Sequence, residues 1–399
     1  MPCRTDRVSG RRWRDPLVSG RRSGAGSRRF LWRRIALVCL LVVGALGSLG
    51  FGPPVLTDSS YPPLRLDPDS VEALLRTRRH PAVTAVAATV VDIDANRTLY
   101  ALRPHEPLPP ASTVKVMTAL LTLQRGSLTD SVTISAGAAS APGSRMGLVA
   151  GEVLTVEELL YGLLLPSGND AAVALAEYVA GSETAFVALM NEAAAALDLT
   201  DTHFTNAHGL DDDAGTASAA DLIVLARAAL DYPAFARIVA MPQAYVAGRT
   251  LTNTNELLGL YPGADGVKTG TTSAAGECLI ASATRDGHRL LVVVLGSQDR
   301  YADAVTLLDY GATGWRWGAV ALPDNALTWE IGADGRSYRL RAAAAPDIFL
   351  PAWQWPLVQP VRLLDATMPL TSTFPVGRLR LMLDGQVLAT TLLTVWQGP

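Results

Sequence analysis

Apolar and polar positions along this chain change their rhythm three times. Ala85–Asp92 is a short apolar run rich in β-branched residues, and Thr98–Leu102 answers it across Asp94-Ala95-Asn96-Arg97, which predicts a hairpin. From Ser112 the spacing becomes helical. It predicts a helix opening at Ser112, others at Thr155–Leu164, Ala171–Val179, Glu183–Leu197 and Ser218–Asp231, and a break at Pro166-Ser167-Gly168-Asn169-Asp170. Thr155 with Glu158 three places on forms a capping box. Strand patterns return at Gly266–Thr272, Glu277–Thr284 and His288–Leu295, the last two joined by Arg285-Asp286-Gly287, and Tyr301–Trp315 closes with a helix. Strands at both ends of a helical middle predict an α+β fold: one mainly antiparallel sheet with helices on both faces.

Beyond Pro323 the helical period is lost. Thr328–Ile331, Tyr338–Arg341 and Arg378–Leu383 read as strands, and Asp384-Gly385 turns the chain into Val387–Val395. Residues 322–399 are therefore expected to form a small C-terminal β domain, after a main domain over 70–320 that begins with a short helix at Ser70–Arg78.

The N-terminal part differs in kind. Residues 1–34 hold eleven arginines against Asp6 and Asp15, and Arg33-Arg34 lead into the uncharged run Ile35–Phe51. A basic leader before seventeen apolar residues predicts a signal peptide or an uncleaved anchor in the cytoplasmic membrane, with the N-terminus inside and the main domain outside the cytoplasm. Residues 52–69, rich in Pro and Ser, read as a tether. The rest of the chain carries 23 cations against 35 acids, which argues against nucleic-acid binding. Cys278 is the one cysteine beyond the apolar run, so no internal disulfide is expected there; its strand context makes it a small core residue.

Only two of the 34 cationic residues are lysines, Lys115 and Lys268. Arg serves everywhere else, which points to a demand that Arg cannot meet: a buried Lys can be driven neutral and accept a proton, whereas guanidinium stays charged. Lys115 lies three residues after Ser112, one helical turn away on the same face, so the hydroxyl has a base within reach. Lys268 lies in Gly266-Val267-Lys268-Thr269-Gly270-Thr271-Thr272. No histidine motif offers itself as the base. His203, His208 and Asp211-Asp212-Asp213 follow no ligand spacing, so no metal or other cofactor is expected. Tyr245 and Asn253 are expected only to line the region of the second motif.

Three motifs occur in order: Ser112-x-x-Lys115, Ser167-Gly168-Asn169 and Lys268-Thr269-Gly270. With PPASTVKVMTALL, PSGNDAA, THFTNAHGLDD, LTNTNELL and DGVKTGTTSAAGECLIASA around them, residues 65–320 resemble the low-molecular-weight D-alanyl-D-alanine carboxypeptidases, serine peptidases that trim peptidoglycan stem peptides; the β domain resembles theirs loosely. The resemblance implies a penicillin-binding/β-lactamase-like transpeptidase domain. It implies that Ser112 is acylated, Lys115 takes its proton, Ser167 relays a proton to the departing D-alanine and Asn169 holds Lys115 and the substrate amide. Lys268 and Thr269 would bind the terminal carboxylate, and the N–H groups of Ser112 and Thr271 would form the oxyanion hole. Peptidoglycan pentapeptide would be the substrate and β-lactams covalent inhibitors. A D,D-endopeptidase, a β-lactamase of the same fold and a non-catalytic peptidoglycan binder are the alternatives. None of Glu183, Glu192 and Glu256 sits in the Glu-x-x-x-Asn context that a deacylating β-lactamase glutamate usually has.

Overall fold

The computed structural model describes residues 80–396, apart from 213, 286 and 320–327, together with Asp69. The basic segment, the apolar run Ile35–Phe51, the tether and the helix expected at Ser70–Arg78 thus lie outside the described residues, Asp69 excepted. Among the described residues no single helix is long and apolar enough to cross a membrane.

The two ends of the main domain do pair into one antiparallel sheet. Strand β1 (Ala87–Asp92), β2 (Arg97–Leu102), β7 (Ala264–Thr272), β8 (Gly276–Arg285) and β9 (His288–Ser297) lie in the order β2-β1-β9-β8-β7. The intervening β3 (Ser131–Thr133) and β4 (Val153–Thr155), and β5 (Gln243–Val246) and β6 (Arg249–Thr252), form two small hairpins. β1 is buried along its whole length because it lies inside the sheet and is covered on both faces, which explains why its apolar residues do not alternate with exposed ones. Side chains on β9 alternate. Leu291, Val293 and Leu295 join the larger core with Met117, Leu120 and Leu163, whereas Leu290, Val292 and Val294 meet Ala304, Leu307 and Leu308. Fully burying each such side chain stabilises the fold by about 1.5–3 kcal/mol.

The expected helices start within a residue or two of their sequence signals, except the one expected from Ser112, and the short helices at Ala136–Ala139, Pro233–Val239 and Leu257–Leu260 have no counterpart in the sequence reading. Lys115–Arg125 is α1, Ala136–Ala139 α2 and Val156–Leu164 α3. Thr155 and Glu158 form the reciprocal capping box on α3. Asn169–Ala180 (α4) begins two residues before the expected start, because Gly168 takes the cap position and Asn169 and Asp170 already belong to the helix. Glu183–Ala196 (α5) and Ala219–Leu230 (α6) follow, each capped by the serine before it. Pro233–Val239 (α7) and Leu257–Leu260 (α8) precede β7. Arg300–Gly314 (α9) is capped by Asp299 and packs on the second face of the sheet.

The closing helix was expected to include Trp315. Instead Trp315–Ala319 is strand β10, paired with β13 (Asp347–Pro351) of the C-terminal region. Trp315 and Trp317 put aromatic rings against Phe349, an apolar contact that a further helical turn would forfeit. The C-terminal sheet has the order β11 (Trp329–Ile331), β12 (Ser337–Ala342), β16 (Gln386–Val395), β15 (Gly377–Leu383) and β14 (Gln359–Leu364), around a core that includes Leu340, Leu379, Leu381 and Leu393.

Candidate active site

Ser112 does not open an α-helix, contrary to the sequence expectation. It lies in a 3-10 turn, Ala111–Val114, that leads into α1, and no side chain caps that turn. Thr113 donates its hydroxyl to the Pro110 carbonyl at 2.7 Å, which leaves the Ser112 hydroxyl uncommitted to the backbone ahead of it. The spacing to Lys115 holds: Lys115 Nζ donates to Ser112 Oγ at 2.7 Å. A second Lys115 contact goes to the His208 carbonyl at 2.6 Å, which Ser112 Oγ also faces at 3.4 Å.

Lys115 is fully buried, with no carboxylate at ion-pair distance among the described residues. Burial, first, and the nearby Lys268 cation, second, hold its amine well below the ordinary value, while Asp170 pulls weakly the other way. A neutral amine can keep one N–H on the His208 carbonyl and turn its lone pair to the Ser112 hydroxyl.

β7 brings the second lysine beside the turn. Lys268 is 1% exposed, and its Nζ donates to the Thr269 carbonyl at 2.9 Å. Burial, and behind it the Arg300 guanidinium, lower its amine to about 7. Thr269 shares a 2.5 Å hydroxyl–hydroxyl contact with Thr254. Arg300, at the start of α9, donates to the carbonyls of Gly270 (2.8 Å) and Cys278 (3.2 Å) and to Thr271 Oγ1 (2.5 Å). It thereby fixes the end of β7, and Glu277 balances it at 3.2 Å.

Two glycines let these elements approach. A Cβ at Gly270 would lie 3.0 Å from the Ser112 amide nitrogen. One at Gly209, where φ is +81°, would fall 1.9 Å from the Ala111 carbonyl oxygen. Ala111 and Ser167 themselves hold positive φ values of 49° and 62°, a cost of roughly 1–3 kcal/mol each.

The third motif heads α4, which packs on α1. The hydroxyl of Ser167 and the carbonyl oxygen of Asn169 are both buried without a hydrogen-bond partner among the described residues, whereas Asn169 Nδ2 donates to the Pro142 carbonyl at 2.6 Å. Neither residue hydrogen-bonds Lys115, whose partners among the described residues are Ser112 Oγ and the His208 carbonyl. Asp170 is fully buried and accepts from the amides of Met146, Gly147 and Leu148, so it holds that loop against the start of α4.

Other sequence candidates find structural work. His203 pairs with Thr216 through backbone hydrogen bonds, and Asp211 accepts from the Ala274 amide. Asp213 lies outside the described residues. Tyr245 is 77% exposed on β5, and Asn253 ties down the carbonyls of Val239 and Met241. Burial raises the Cys278 thiol to about 11, in keeping with an inert core residue. Three contributors escaped sequence reasoning. Asp170 reads like any acid in a helix's first turn, His208 acts through its backbone, and Arg300 lies 29 positions from the threonine it holds.

Comparison with known proteins places the chain in a family. A family model described as D-alanyl-D-alanine carboxypeptidase matches residues 75–299. The chain is 39% identical over 239 residues to D-alanyl-D-alanine carboxypeptidase DacF of Bacillus subtilis, an alignment that covers 57% of this chain and spans 61% of DacF's length. It is 33% identical over 348 residues to DacC of Escherichia coli, covering 81% of this chain and 86% of DacC. The crystal structure of penicillin binding protein 6B from Escherichia coli superposes with a TM-score of 0.64 at 31% identity, over 79% of this chain and 96% of that one.

Proposed function

The chain belongs to the D-alanyl-D-alanine carboxypeptidase family, and on that premise we propose that it is a serine peptidase that removes the terminal D-alanine from peptidoglycan stem peptides. The observation that carries this reading is the 2.7 Å contact between Ser112 Oγ and a fully buried amine whose proton affinity burial has lowered.

The steps follow from the residues present. Neutral Lys115 takes the Ser112 proton as Oγ attacks the carbonyl of the penultimate D-alanine. Negative charge develops on the carbonyl oxygen, where the amides of Ser112 and Thr271 are the proposed donors; each contributes on the order of a hundredfold in rate. The proton passes through Ser167 to the amine of the departing D-alanine, the C–N bond breaks and Ser112 is left acylated. Water then attacks the ester, giving up its proton to Lys115, and Ser112 regains its hydrogen. Lys268 and Thr269 hold the terminal carboxylate, and the unpartnered Asn169 oxygen accepts from the substrate amide. An extended peptide can lie along β7, the free edge of the sheet. A β-lactam takes the same route to a stable acyl-enzyme.

The apolar run Ile35–Phe51 anchors the enzyme in the cytoplasmic membrane in this reading, with the main domain outside the cytoplasm. The test is labelling by fluorescent penicillin alongside release of free D-alanine from a pentapeptide. Wild type should do both and Ser112→Ala neither. Labelling without D-alanine release would leave a penicillin binder. Rapid β-lactam turnover would make it a β-lactamase, and cleavage of cross-linked dimers in preference to pentapeptide would make it an endopeptidase.

A further inference from the structure

Far from Ser112, the β1–β2 turn and the β8–β9 turn bring together Asp92, Asp94 and His288. One ligand-type atom from each lies within 4.8 Å of the others, yet no hydrogen bond or ion pair joins His288 to either carboxylate. Asp92 is 2% exposed and has no cationic side chain at ion-pair distance among the described residues. Among the described residues its oxygens accept from the Ala95 amide (2.8 Å) and Trp317 Nε1 (3.1 Å). Buried carboxylates are ordinarily paired with a cation or bound to a metal. His288 Nδ1 is likewise buried without a partner, on a ring stacked 4.5 Å from Trp317. Asp94 stands at the surface with one oxygen held by the Arg289 amide at 2.7 Å.

We propose that Asp92, Asp94 and His288 form a binding site for a divalent transition-metal ion, zinc in the first instance. Two metal–ligand bonds of about 2.0–2.2 Å reach at most about 4.4 Å, close to the 4.8 Å within which the three ligand atoms lie, so a small inward turn of the exposed Asp94 closes the site on an ion. One imidazole and two carboxylates suit zinc better than a hard cation, and water completes the shell. The existing contacts from Ala95, Trp317 and Arg289 orient the carboxylates as outer-shell donors do. Each oxygen keeps a lone pair for the ion. Asp92 and His288 also line a cavity of about 620 Å³ through which an ion can enter, together with Trp317 and Phe349. Because Trp317 belongs to β10, which pairs with β13, the ion would clamp the main domain's turns to the C-terminal strands. The sequence hides the site, since its ligands are almost two hundred residues apart until the sheet forms.

The test uses the full chain, stripped with chelator and titrated with Zn²⁺ alone. Calorimetry should show one ion per chain, and the melting midpoint should rise by roughly 5 °C at a hundredfold excess over the dissociation constant. Asp94→Asn, an exposed change that leaves the fold intact, should weaken binding at least tenfold, as should His288→Gln. No zinc binding at millimolar concentration overturns the proposal. Binding equally tight in both variants, or matched by Mg²⁺, overturns it too. D-alanine release needs none of these residues, so failure here leaves the reading of the active site standing.

Discussion

Two regions of this molecule bury cations and treat them in opposite ways. In the C-terminal sheet Arg362 is 6% exposed, with Glu330 at 2.9 Å and the Trp329 carbonyl at 2.8 Å. In the main domain Lys115 and Lys268 are as deeply buried, but their partners are a hydroxyl and backbone carbonyls. A carboxylate locks a buried charge in place. Without one, burial drives the amine toward its neutral form, at some cost to stability and with a larger share of free base at working pH. The first arrangement serves the fold, the second suits the proposed chemistry, and residue type follows: Arg where charge must persist, Lys where it can be given up.

Substitutions can break the contrast in graded steps. Lys115→Arg puts a permanent cation beside Ser112 and should slow acylation by β-lactam about a thousandfold or more, followed as the rate of penicillin labelling. Gly209→Ala forces a Cβ onto the Ala111 carbonyl at a left-handed position; labelling should fall roughly a hundredfold and the protein should melt at lower temperature, since strain of this kind costs a few kcal/mol. Lys268→Met should slow labelling about tenfold, through loss of a charged contact to the carboxylate, and should also change how stability depends on pH. Folding lowers the Lys268 amine from 10.5 to about 7. Between those values the unfolded chain binds the extra proton, so stability climbs with pH by at most about 1.4 kcal/mol per unit for this group, and below pH 7 its slope vanishes. Denaturant midpoints across that range should rise less steeply in Lys268→Met than in wild type. Glu330→Gln is the opposite control. It strips Arg362 of its countercharge and should lower the melting temperature, yet labelling should stay within about twofold of wild type.

The sequence made the sheet strands, the capped helices and the Ser112–Lys115 pair legible because each rests on local rules: period, caps and one helical turn of spacing. Scarcity of lysine marked both amines of the proposed site. What stayed hidden depends on tertiary approach. β7 and the Gly209 loop lie against the 3-10 turn at Ser112, an approach that local spacing does not show. The His208 carbonyl does its work as backbone, to which side-chain identity is blind. Arg300 reaches β7 from the far side of the sheet, and Trp315–Ala319 becomes a strand only because Asp347–Pro351 lies beside it. Asn169 was expected to hold Lys115, but the Pro142 carbonyl claims its amide.

The most direct test is the acylation rate of the wild-type chain as a function of pH, followed with a chromogenic β-lactam from about pH 5 to pH 10. An amine held neutral by burial predicts a rate that rises with pH through one ionisation well below 10.5 and then levels off. A rate still climbing toward pH 10.5 with the slope of an ordinary amine, or one with no such limb at all, would contradict the account.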